Sequence, residues 1–134
     1  MGNPDIFHSG TEVHSGQLTL KTRNRKTGKL ASLPSLNCLS WEEEGKQYLH
    51  CLEFDLIADG ETRKESIDNL VELIFEQMRA AIEENTQLFH PAPTPYWEKF
   101  FELRRNRLTQ TFLESKPRTL KDIKVSGERA LTYA

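Results

Sequence analysis

Three side-chain types that bind metals or move protons gather in the middle of this chain: Cys38 and Cys51, His50, and Asp55 with Asp59. His50, Cys51 and Asp55 are all transition-metal ligand types. Neighbouring residues of a strand point to opposite faces, however, so His50 and Cys51 do not easily share one ion. Asp55 and Asp59 are the only central carboxylate pair near a strand end, and a two-metal hydrolytic site needs more acids converging there. Turn and solubility roles account for both. The sequence contains no Gly-x-Ser-x-Gly elbow, no glycine-rich phosphate loop and no His-Glu-x-x-His. The expectation is a protein that is not an enzyme, with no catalytic residue, no metal and no cofactor.

Cys38 and Cys51 admit two readings, a cross-strand disulfide or redox pair, and two small buried thiols in a reducing compartment. The second is preferred, because no Cys-x-x-Cys motif supports redox chemistry.

Charge is more informative by segment than in total. The formal net charge is -2, yet residues 42–84 hold thirteen Asp or Glu against four Lys or Arg. Residues 1–41 and 98–130 are basic in compensation. An acidic centre disfavours direct contact with nucleic acid and suits a basic protein partner, since complementary fields steer and orient association. The candidate partner-facing acids are Asp68, Glu72, Glu76 and Glu83. An alternative places nucleic acid on the basic ends, through Arg23, Arg25 and Lys26 and through Arg104, Arg105 and Arg107. No aromatic residue is interleaved in the first of these runs for base stacking.

These groups must be positioned by a small set of elements. Thr62 and Glu65 form a Thr-x-x-Glu capping signal, and apolar residues follow at Ile67, Leu70, Val71, Ile74, Phe75, Met78, Ala81 and Ile82. That spacing predicts an amphipathic helix over 62–85, with Asn85 as its C-terminal cap. Residues 36–41 and 47–53 read as an antiparallel hairpin about Glu44-Gly45, which sets Trp41 opposite Tyr48, Leu39 opposite His50 and Cys38 opposite Cys51. One face then carries Leu36, Cys38, Ser40, Leu49 and Cys51, suited to lie beneath the helix. The other carries Asn37, Leu39, Trp41, Tyr48, His50 and Leu52, too aromatic to stay bare, so another element or another subunit should cover it. Residues 56–60 form a short third strand ended by Gly60.

The remainder is less regular. Residues 1–16 are polar and read as loosely ordered. Residues 17–22 alternate like an edge strand, and Lys21, Arg23, Arg25, Lys26 and Lys29 follow as a basic loop around Gly28. After the long helix, 88–95 is a proline-rich connector, and Thr94-Pro95 opens a second helix to about 112 with Trp97, Phe100, Phe101, Leu108 and Phe112 as an aromatic stripe. Residues 113–134 form a basic, mobile tail. The predicted architecture is α+β: an antiparallel sheet of three or four strands packed on one long helix, plus a C-terminal aromatic helix. It forms a single domain over 17–112.

The string from Tyr48 through Glu53-Phe54-Asp55-Leu56 to Gly60-Glu61-Thr62, leading into Glu65 to Leu70, resembles the HicB-like antitoxin family. The strand, strand, short strand, long helix order adds to the likeness, which covers about residues 37–85. The resemblance implies a partial ribonuclease-H-like fold without ribonuclease activity. It also implies a small basic HicA-like toxin as the partner to be covered. No helix-turn-helix or ribbon-helix-helix pattern follows, so operator binding is not implied. With no long apolar run and no basic-then-apolar start, a cytoplasmic protein outside the membrane is expected, as a homo-oligomer.

Overall fold

A computed structural model describes residues 11–32 and 34–115 of the chain. In order, its elements are β1 (Val13–Leu18), β2 (Lys21–Arg23), β3 (Leu30–Ser32), β4 (Leu36–Glu43), β5 (Lys46–Cys51), β6 (Leu56–Gly60), α1 (Arg63–Glu84) and α2 (Thr94–Ser115). The architecture is α+β, as the patterning requires. Four strands form one antiparallel sheet in the order β1-β4-β5-β6, while β2 and β3 pair as a separate ribbon.

The β4–β5 hairpin has the expected register. Trp41 pairs with Tyr48, Leu39 with His50 and Cys38 with Cys51. Its cause is local: Glu44 and Gly45 both take positive φ, 51° and 79°, the two-residue turn whose twist matches the flanking strands. Trp41 and Tyr48 stack across the strands with ring centroids 5.4 Å apart.

The two faces of the sheet carry separate cores. On one, Leu36, Cys38, Cys51 and Ala58 pack with Leu70 and Ile74 of α1. On the other, Val13, Leu39 and Leu52 pack with Ala92 and Phe100, and Trp41, Tyr96 and Trp97 close over them. The aromatic face is thus covered within the chain by the connector and the start of α2. Its exposure supplies no reason for a second subunit. The connector is held by backbone bonds from His90 N to Glu53 O and from Ala92 N to Leu52 O. Trp97 Nε1 donates to Ala92 O at 3.0 Å, and Phe89 stacks on Phe54.

Several boundaries differ from expectation. The edge strand begins at Val13, inside the segment expected to be loose, because pairing with β4 sets Val13 opposite Trp41 and Gly16 opposite Cys38. In α1 the buried positions are Ser66, Leu70, Ile74 and Ala81. Phe75 and Ile82, assigned to the core stripe, are 43% and 75% exposed. At 3.6 residues per turn they lie roughly 120–140° around from Leu70, on the shoulder of the helix. The chain divides after Leu103 into two units. In the second unit, residues 104–115 are the distal turns of α2, and all are exposed, Leu108 and Phe112 included. The rest of the basic tail, and residues 1–10, lie outside the described residues.

Candidate functional site

The acidic face of α1 is set by both helix ends. Thr62 Oγ1 accepts a hydrogen bond from Glu65 N at 3.1 Å, and Asn85 takes the left-handed conformation with its N–H directed to Ala81 O and Ile82 O. Burial of Ser66, Leu70, Ile74 and Ala81 turns Asp68, Glu72, Glu76 and Glu83 to solvent, and all four are exposed. Glu72 and Glu76 are neighbours at i and i+4, an arrangement that repels in an isolated helix. Asp68 is already engaged: Lys64 Nζ reaches its Oδ2 at 2.9 Å, and this hydrogen bond holds the ammonium above its usual range. Among the described residues, Glu72, Glu76 and Glu83 pair with no cation.

Two of the four acids meet a second element. Glu72 and Glu76 line a groove of about 350 Å³ with Leu73 and Asn69 of α1 and with Ile57 and Asp59 of β6. Among the described residues β6 is a terminal strand of the sheet, paired only with β5. The ladder shows which of its backbone groups are free. Leu52 N donates to Asn37 O, which makes the Leu39–His50 and Trp41–Tyr48 pairs hydrogen-bonded and points Gln47, Leu49 and Cys51 toward β6. Their partners Gly60, Ala58 and Leu56 therefore bond inward. Ile57 and Asp59 turn their N–H and C=O groups outward, and one of these is met by Asn69 Nδ2, which donates to Asp59 O at 2.9 Å. The side chain of Ile57 is 50% exposed beside this edge. Asp68 and Glu83 lie on the same helix but outside the groove lining.

The junction of β6 and α1 is tight. A Cβ at Gly60 would stand 2.6 Å from Ser66 N and 2.9 Å from Glu65 Cβ. Only glycine lets the helix start this close to the strand that forms the groove.

The other candidates fall elsewhere. Arg23, Arg25 and Lys26 sit at the end of the β2–β3 ribbon, all exposed. Asn24 shapes that turn by accepting from Lys26 N and Thr27 N, and Arg23 Nη1 donates to Gly28 O at 2.9 Å. Arg104, Arg105 and Arg107 belong to the second unit, on the distal turns of α2. His50 is 1% exposed. Its Nε2 lies 2.7 Å from Asp55 Oδ1 and its ring meets Tyr96 edge-on. Asp55 holds φ 53°, so its role is to turn the chain and anchor the imidazole. Cys51 lies in the core on the opposite face. Asp59 faces Lys46 Nζ at 3.5 Å. Among the described residues no group of three or more His, Cys, Asp or Glu side chains is placed to hold a metal ion, and no helix is long and apolar enough to cross a membrane.

Sequence patterning does not reveal Ile57, Asn69 and Leu73 as parts of a site. Ile57 reads as an ordinary strand residue, and its exposure follows only from β6 being last in the sheet. The groove presents outward backbone groups, a small apolar surface and two carboxylates without a described cation partner. No family model, curated protein or solved structure matches the chain.

Proposed function

We propose that the chain is a non-catalytic, HicB-like antitoxin or protein-binding module that covers a small basic partner, a HicA-like toxin on this reading. The acids of α1, Asp68, Glu72, Glu76 and Glu83, face that partner. The observation that carries the reading is the pair Glu72 and Glu76, uncompensated by any described cation and walling a groove that also exposes Ile57. Unpaired carboxylates beside an apolar surface attract a basic surface and orient it. The cytoplasm, where such a toxin would act, is the compartment this reading requires.

Zero-length carboxyl-to-amine cross-linking in native lysate, followed by mapping of the attached carboxylates, tests it. Attachment of a small basic protein at Glu72 and Glu76 is the expected result. Attachment only at acids away from α1 counts against the reading.

A second reading, a nucleic-acid-binding regulator, draws on the β2–β3 ribbon. Among the described residues Lys21, Arg25, Lys26 and Lys29 have no carboxylate partner there, and a basic ribbon suits a phosphate backbone. Arg104, Arg105 and Arg107 of the second unit are the other basic candidates of this reading. Failure to bind DNA or RNA at low salt removes this reading. Self-association is a separate expectation, tested by the mass of the purified chain in solution.

A further inference from the structure

We infer that the partner is held by strand addition: an extended basic segment pairs with the outer edge of β6 and lies in the groove between that edge and α1. This inference rests on the protein-binding reading above and specifies its geometry.

Three observations converge. First, the edge is chemically open. The outward N–H and C=O of Ile57 and the N–H of Asp59 meet no hydrogen-bond partner among the described residues, whereas natural sheets usually blunt such edges. Second, the neighbouring surface has the right depth. The groove of about 350 Å³ runs along Ile57 to Asp59, so an added strand would seat one row of side chains against Leu73 of α1. Its other row would pass Ile57, half exposed on the opposite face of the sheet. Third, the charge selects the occupant. Glu72 and Glu76 flank Leu73 on the α1 side, so lysine or arginine in the row of the added strand that faces α1 meets carboxylates, while the residues between them pass Ile57 on the other face. Main-chain pairing then supplies affinity and the alternating side chains supply specificity. An acidic or neutral strand would find the same edge and be repelled or left unpaired in charge.

The test uses the full chain, labelled with nitrogen-15, and a short capped peptide alternating lysine and valine. Amide hydrogen exchange at Ile57 and Asp59 is followed with and without peptide. The expected result is slowing of both amides by at least about tenfold, as buried hydrogen bonds require. The same peptide N-methylated on every amide should give no slowing. Ile57→Pro removes an outward N–H without touching the β5 ladder and should abolish the effect. If that variant does not fold, the methylated peptide tested on the unaltered protein decides. A peptide that shifts the resonances of Glu72 and Glu76 but leaves both exchange rates unchanged overturns strand addition and leaves the acidic-face reading standing. A peptide that perturbs neither α1 nor β6 overturns both.

Discussion

Cys38 and Cys51 stand directly opposite one another on β4 and β5, both buried and both free thiols. The Leu52 N to Asn37 O bond places them at a pair that exchanges no backbone hydrogen bonds, the closer of the two antiparallel spacings. They belong to the core beneath α1, with the Glu53 carboxylate 4.0 Å from Cys51 Sγ.

This pairing makes stability depend on pH at the alkaline end. The hydrogen bond to Cys51, burial, and the negative charge of Cys51 and Glu53 all push the Cys38 thiol up from its ordinary 9.0. The same hydrogen bond lowers Cys51, so above 9.0 the folded pair keeps one proton, on Cys38, that the unfolded state gives up. Stability contributed here is full below 9.0 and falls as pH rises beyond it, by at most about 1.4 kcal/mol per pH unit. Denaturant unfolding of the wild type and of the double variant Cys38→Ala/Cys51→Ala, followed across that range, should show a decline that the variant lacks.

Gly60→Ala should be among the more damaging small substitutions. The new methyl would meet the backbone N of Ser66 at 2.6 Å, and neither the strand nor the first turn of α1 yields freely. A loss of about 1–3 kcal/mol is expected, read as a lower denaturation midpoint. The groove should widen with it, so binding should weaken more than stability alone explains.

Thr62→Ala removes the hydroxyl that accepts from Glu65 N. The expected cost is about 1 kcal/mol. Thr62→Ser should restore most of it, and thermal unfolding of the three proteins decides.

Asp55 serves His50. Asp55→Ala removes the acceptor at 2.7 Å and leaves an imidazole that is 1% exposed, whose Nδ1 already has no partner among the described residues. It also places alanine at φ 53°. Asp55→Gly relieves the backbone while losing the same hydrogen bond, so it should recover part of an overall loss of about 2–3 kcal/mol. Equal stability of the two variants would show that the backbone conformation carries no cost.

How much of this was legible in sequence follows from the range of each signal. Thr62, Asn85 and Glu44-Gly45 act within a few residues, so the long helix and the hairpin register are readable directly. The aromatic cover was readable in kind, since Trp97 and Phe100 stand at helical spacing. Val13 to Gly16 looked loose because their order depends on β4, more than twenty residues away. Phe75 and Ile82 looked like core because spacing alone does not say how wide the buried face of α1 is. The groove was hidden for the same reason as β1: its floor is an edge, and being an edge is a property of strand order. Helical spacing marks Glu72 and Glu76 as candidate acids, but their juxtaposition with Ile57 and Asp59 is long-range.

The acids of α1 are the residues on which partner binding is proposed to depend. The most direct measurement is the affinity of the basic partner, recovered from nuclease-treated native lysate, for the wild type and for Glu72→Lys/Glu76→Lys, at low and high ionic strength. The account predicts binding to the wild type that weakens with salt, and a loss of about 2–5 kcal/mol in the charge-reversed protein at unchanged thermal stability. Equal affinity of the two proteins with the same salt dependence, or recovery of nucleic acid alone, would contradict it.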